Sequence, residues 1–499
     1  MNKKRIHDLD LIIDLSEISE TDYLIVDDEN EESSKKISVD KLFEIMNNKS
    51  KIIEKTANKG VPNGYAPLNS DGKLPTQYLY DSGITYGVSI DLTNSDPETS
   101  VTYTDDAVGM VPGSSWYEKD IFKDIRPCLF KNGAVVGYLN PNNFAQFADG
   151  TAADITSGNA GDVMIEIPKI GYRIAKNGTN LIVQITNNPN REDFSYLAHT
   201  RETEGDRDYL YVGAFLGSLN NEKLCSISGA EPYSNEPGDN GNYYYDITPW
   251  RDAAHSRGNG YDILSFYPLT LLQCLYLIMF KNLDCQAALG MGYVGNAYVN
   301  EETWEIENLT SPTMTGSTTA KGMNYGSEED PLQQMKFLGM EDFWGNIRQY
   351  IDGIAIKDNG DIYCATDNFV MPFYFDSYYE ENPDAAIECT GREFPYNYTK
   401  IGNQSLDNSL YMSEPYGTNE GGFLPVVCEG SQTTYFCDFS NISNGGIGYF
   451  LTSGGSCVHT DNYNFHKLDS GIFSFFFESE DSYDFYMNGY TTGARLMYL

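Results

Sequence analysis

Beyond residue 83, turn-forming residues interrupt this chain so often that only one stretch can sustain a long helix. From about residue 84 the apolar residues come in short segments: ITYGVSIDLT, SVTYT, GAVVGYL, DVMIEI, YRIA and NLIVQIT. Each is β-branched or alternating, and Asn-Gly, Gly-Asp and Asn-Pro pairs separate them, which predicts short strands joined by tight turns. Residues 251–295 are the exception. There Leu269 to Phe280 form an apolar run broken only by Thr270, Gln273 and Tyr276, with Pro268 suited to a first helical turn. A bilayer crossing needs about 20 apolar residues, so this run predicts a buried helix and no membrane insertion. The remainder, to Leu499, is aromatic and glycine-punctuated, with short strands and long loops. The expected class is α+β with a loop-heavy face.

Charge narrows the partners. The 499 residues carry 72 acidic and 33 basic side chains, a formal charge of −39, which repels nucleic-acid phosphates and anionic membrane surfaces. Apolar residues make up 40%, enough for a core, so the acidity is not that of a disordered tail. The 38 tyrosines outnumber all lysines and arginines together. With abundant Gly, Asn and Ser, they suit an adaptable recognition surface or a β-rich fibrous protein. Nine cysteines are scattered without a C-x-x-C pair, so buried free thiols are expected, not a zinc site or a disulfide scaffold. The opening MNKKRIHDLDLIIDLSE is cut by Asp10 and Asp14 and does not read as a signal peptide.

Residues 1–56 predict a strand over 23–26, a charged turn and a helix over 38–56. Ser38 would be the N-cap, and Leu42, Phe43, Met46, Ile52 and Ile53 the apolar stripe. That helix is too short to stand alone, so it predicts self-association, as a homotrimeric bundle. Residues 57–83 hold Gly60, Gly64, Gly72, Pro62, Pro67 and Pro75 and read as a turn-rich knob or linker. A β-rich region over 84–250 then leads into 251–499.

No catalytic residue, metal or cofactor is assigned. Glu341-Asp342 and Glu380-Glu381 read as solvated surface in so acidic a chain. Asp358-Asn359-Gly360-Asp361 lacks the ligand spacing of a calcium loop and reads as a turn. Cys457 with His459 and His466 is a weak metal match. No phosphate loop precedes a helix, and five scattered histidines support no Ser-His-Asp arrangement. Over Gly339–Tyr350, alternating apolar and polar residues predict a core strand. On it Trp344 would anchor two layers, Gly345 would allow close backbone approach and Asn346 would bond a neighbouring loop.

Three stretches resemble bacteriophage fibre proteins. HDLDLIIDLSEISETDYLIVDD with KKISVDKLFEI looks like the N-terminal attachment segment of phage structural proteins, and GVPNGYAPLNSDGKLPTQYLY is similar to a tail-fibre knob. DVMIEIPKIGYRI, LYVGAF, SISGAEP, LLQCLYLIMFKNLDCQAALGMG, GMEDFWGNIRQYIDGI, YFLTSGGS and GARLMYL follow in order. Together they resemble the C-type-lectin-like domain of the formylglycine-generating-enzyme type found in phage receptor-binding proteins. The resemblance implies a non-enzymatic virion protein, assembled in the host cytoplasm, attached to other virion structural proteins through residues 1–56. Its lectin-like display domain over 251–499 would bind a host cell-surface glycan or protein. A capsid head-fibre or decoration protein is the alternative. The cysteine pair of the enzymes lacks its arginine-rich context here, which argues against an oxidase. By the same resemblance Arg495 in the closing strand pairs internally. The exposed contact residues would be His459, Asp461, Asn462, Tyr463, Asn464 and Phe465, with Tyr483, Tyr486 and Asn488 as a second group. These are polar and aromatic with almost no aliphatic residue, as a contact loop requires. Phe473, Phe475, Phe476 and Phe477 read either as part of that face or as core.

Overall fold

The computed structural model describes the strands Tyr23–Val26 and Lys35–Ser38 and residues 83–202, 204–234, 247–295, 298–299, 306–307, 310–356, 360–367, 369, 398–403, 408–442, 449–455, 457, 470–478 and 492–499. The chain divides into two units, Met1–Ser82 and Gly83–Leu499. In the first, Tyr23–Val26 pairs antiparallel with Lys35–Ser38, Tyr23 opposite Ser38. A strand therefore ends at Ser38, where the sequence suggested the cap of a helix. The rest of the expected helix and the 57–82 knob lie outside the described residues.

The second unit is β-rich with few helices. Its strands form where the alternation placed them. In the seven-stranded sheet the order is Tyr261–Ile263, Leu496–Tyr498, Tyr209–Gly213, Asp162–Pro168, Arg126–Lys131, Ala134–Asn140, Asn143–Phe147. Asn132-Gly133 closes one hairpin of this sheet with φ of 54° and 77°, the left-handed pair that a two-residue turn demands. A four-stranded sheet orders Val101–Asp105, Thr85–Asp91, Asn180–Thr186 and Gly171–Asn177. A mixed eight-stranded sheet is built from the C-terminal part around Arg348–Ile356.

Residues 84–250 and 251–499, separated on sequence grounds, belong to one unit. Strand Leu496–Tyr498 lies between Tyr209–Gly213 and Tyr261–Ile263, so chain from both ranges shares one sheet.

Both faces of the seven-stranded sheet are covered, which explains why DVMIEIP is almost continuously apolar. Val163, Ile165 and Ile167 join the main core, while Met164 points to the other side with Cys128 and Phe130. Helix α1 (Thr248–His255) covers that second face with Trp250, Ala253 and Ala254. Its buried Arg251 grips Asp352 with two bonds of 2.8 and 2.7 Å. Helix α2 (Phe266–Phe280) is buried on every side, as an all-round apolar helix must be. It packs on both the four-stranded sheet and strand Arg348–Ile356. Each of its large side chains contributes roughly 1.5–3 kcal/mol by burial. Lys281, left-handed at φ 52°, stops it. Among the described residues, no helix is long and apolar enough to cross a membrane.

Candidate functional site

The segment Gly339–Tyr350 is the best-defined chemical constellation, and it is not the strand its alternation suggested. A short hairpin pairs Lys336 with Glu341 and Phe337 with Met340 across Leu338-Gly339, both left-handed at φ 48° and 84°. After it, Asp342, Gly345 and Asn346 also take left-handed conformations, at 49°, 81° and 63°. A regular strand resumes only at Arg348. Alternation misleads here because turns, not a pleat, decide which side chains point inward.

Those turns bring the expected anchors together. Trp344 is fully buried, donates Nε1–H to the Gly290 carbonyl at 2.9 Å and meets Tyr276 of α2 edge-on at 6.2 Å. Gly345 donates its N–H to the Gly454 carbonyl at 2.6 Å, and a Cβ there would lie 2.8 Å from the Tyr293 nitrogen. Asn346 bonds both backbone groups of Thr313, at 2.9 and 3.0 Å, and donates to Asp342 at 2.8 Å. Arg495 is fully buried and donates to the carbonyls of Gly213, Glu341 and Asp342 and to the Gln349 side chain, at 2.7–2.9 Å. Gln349 completes the cradle by donating to the Phe343 carbonyl at 2.9 Å. Arg495 thus reads this corner of backbone as a fork reads three tines, a geometry Lys cannot reproduce.

The acidic pair corrects a sequence expectation. Glu341 and Asp342 are buried, not solvated. Glu341 accepts from the Gly316 and Thr318 N–H groups and the Thr318 hydroxyl at 2.6–2.7 Å. Asp342 accepts from Gln334 at 2.5 Å, and its Oδ1 is buried with no hydrogen-bond partner. Burial, then the neighbouring Glu341 charge, holds the Asp342 carboxyl well above the usual range. Lys336 is buried too, donating to the Thr318 carbonyl at 3.0 Å above the Phe144 ring. Burial pulls its ammonium down to about 7, opposed by Glu341. No charge pattern marks Lys336, Glu341 or Asp342 as interior: Thr318 reaches Glu341 and Lys336 from another part of the fold, while Gln334 and Asn346 bond the Asp342 carboxylate from nearby in the chain. Enclosed on all sides, the constellation orders backbone and presents no surface to a ligand.

The expected contact residues His459, Asp461, Asn462, Tyr463, Asn464, Phe465, Tyr483, Tyr486 and Asn488 lie outside the described residues, as do His466, Glu380 and Glu381. Between the two groups in sequence, Phe473, Phe475, Phe476 and Phe477 are buried, so these four belong to the core. Cys457 is also buried, its thiol pushed up by burial. Among the described residues, no three His, Cys, Asp or Glu side chains are placed to hold a metal ion. No protein-family model matches the chain, and no curated protein matches it.

Proposed function

We propose that this chain is a bacteriophage virion fibre protein. It attaches to the particle through residues 1–56 and displays a C-type-lectin-like domain that binds a host-surface receptor, a glycan by the chemistry of the 459–465 loop. It acts by binding and not by catalysis. The observation that carries the reading is the interlocking of three stretches that resemble the lectin-like family. GMEDFWGNIRQY, YFLTSGGS and GARLMYL meet in one corner, where Gly345 bonds Gly454 and Arg495 bonds the carbonyls of Glu341 and Asp342. A rigid corner of this kind is the sort of scaffold on which contact residues are commonly borne. Aromatic faces in the 459–465 loop would stack on sugar rings while Asn and Asp bond hydroxyls. Many copies per particle would strengthen weak single contacts.

Immunogold electron microscopy of particles, with antibody to residues 84–499, tests the placement. Label on tail fibres is the expected result, label over the capsid moves the protein to the head-fibre or decoration reading, and unlabelled particles overturn the virion assignment. Replacing 459–465 with Ser and Gly should abolish adsorption without lowering Tm. Unchanged adsorption would remove the receptor-binding loop.

A further inference from the structure

Helix α1 holds its surroundings with two side chains one turn apart. Arg251 and His255 lie four positions apart, on one face of the helix, and each meets an aspartate. Arg251 grips Asp352 of strand Arg348–Ile356, and that pair is shut away from water, its side chains 8% and 3% exposed. His255 meets Asp262 of strand Tyr261–Ile263, its Nε2 3.2 Å from the Oδ2 atom. Here the carboxylate is 13% exposed and the imidazole 43%, so protons reach the pair through the ring. The two aspartates belong to different sheets, which meet where the Asp352 N–H donates to the Leu264 carbonyl at 3.0 Å.

The charges of this cluster balance only when the imidazole is protonated. Arg251 is always charged and is matched by Asp352. Asp262 has His255 as its side-chain partner, its Oδ1 accepting only the Ile263 N–H at 2.9 Å. Arg257, two residues further on, is turned away to Asp162 and the Leu224 carbonyl. The groups facing His255 are therefore Asp262, Asp352 and Arg251, and those facing Asp262 are His255 and Asp352. Tyr398 lies beside them, and burial keeps its hydroxyl neutral. A neutral imidazole leaves two carboxylates facing one guanidinium. The hydrogen bond to Asp262 raises the His255 pKa above its ordinary value, against burial and with help from the Asp262 and Asp352 charges. Burial raises the Asp262 carboxyl as well, opposed by the His255 bond and helped by the Asp352 charge. Both members thus hold a shared proton more tightly than the unfolded chain does. Between them runs only the connection 256–260, which turns on Gly258 and Gly260 at φ 123° and 89°. Glycines loosen easily once a clasp across them is released.

We propose that His255 and Asp262 form a pH-sensitive latch, clasping the last turn of α1 to strand Tyr261–Ile263 while the imidazole carries its proton and releasing it when the proton leaves. The Arg251–Asp352 pair, which does not titrate in this range, keeps the earlier part of α1 docked. A proton held more tightly in the folded chain stabilises it fully below the ordinary histidine value, and that stabilisation is lost as pH rises through the folded one. The latch is therefore closed below about pH 6.5 and loosened in mildly alkaline solution. What opens is local, because strand Tyr261–Ile263 is the edge of its sheet. The latch does not rest on the fibre reading.

Hydrogen exchange of the full chain, read by mass spectrometry at about pH 6 and about pH 8.5 and corrected for intrinsic rates, tests this. Protection across 253–262 should fall several-fold at the higher pH, while that of α2 holds. His255→Gln keeps an amide donor without a charge, so its protection there should match the alkaline value of the parent at both pH values. By NMR, the imidazole signal that His255→Gln removes should titrate above pH 6.5 in the parent and fall back toward it in Asp262→Asn. Equal protection at both pH values in the parent, or a pH dependence that survives His255→Gln, overturns the proposal. An equal loss of protection across α2 also overturns it, since the effect is then global. So does a His255 imidazole that titrates at or below pH 6.5. These readings need only the parent and a variant at a half-exposed ring, so they decide even where Asp262→Asn does not fold.

Discussion

His199 is fully buried, and its Nε2 accepts the Ile170 N–H at 3.2 Å, which places the ring proton on Nδ1. Burial, then the Lys169 charge, pushes its pKa down to about 3. The unfolded chain takes up a proton near pH 6.5 that the folded chain refuses, so this stabilising contribution is complete above pH 6.5 and lost as pH falls toward 3. By pH 5 the loss is about 2 kcal/mol. His199→Gln keeps an acceptor and cannot charge. Relative to the wild type, it should therefore gain about 2 kcal/mol on going from pH 7 to pH 5, read from urea midpoints. Asp438 slopes the other way. Burial raises its carboxyl to about 7, so its destabilising effect is absent near pH 4 and grows until pH passes 7. Asp438→Asn should gain stability over wild type at pH 8 and not at pH 4. In the wild type the two slopes overlap, so each is seen only as a difference between variant and parent.

At the scale of elements, the turn cluster at 338–346 depends on one cation. Arg495→Lys keeps the charge but cannot reach Gly213, Glu341, Asp342 and Gln349 together, and chemical denaturation should show a loss of about 3 kcal/mol or more. A loss under about 1 kcal/mol would mean that the cradle orders little. The same cluster marks where the sequence was legible and where it was not. Strands such as Asp162–Pro168 and Asn180–Thr186, and helix α2, follow from local periodicity, because their burial repeats with the backbone that creates it. Gly339–Tyr350 imitates a strand, and only the glycines and Asn346 hinted at turns. The interior place of Glu341 and Lys336 had no local signature, since Thr318, remote in sequence, supplies their bonds. Trp344, Gly345 and Asn346 stood out because a large aromatic, a glycine and an amide each have few ways to be satisfied indoors, whereas Arg495 was pointed to only by the resemblance of the closing strand.

For the molecule as a whole, a charge of −39 means that folding gathers like charges against their repulsion. Raising salt from low concentration to roughly 0.3 M shortens the screening length and should raise Tm in calorimetry. An unchanged Tm would mean that the acids are spread too thinly to repel. Sedimentation of the full chain should give a trimer, and deletion of residues 1–56 should give a monomer. A monomeric full chain would remove the bundle.

The bond from Arg495 to the Gly213 carbonyl joins residues 282 positions apart, and the strand beside it fills a gap between Tyr209–Gly213 and Tyr261–Ile263. During synthesis that gap stands open until Leu496–Tyr498 arrives, leaving two unpaired strand edges in a half-made sheet. At about 5–20 residues per second the wait lasts on the order of ten seconds to a minute. The protein is therefore most vulnerable to aggregation while it is being born, and crowded or hot translation should cost yield even where the finished fold would be stable.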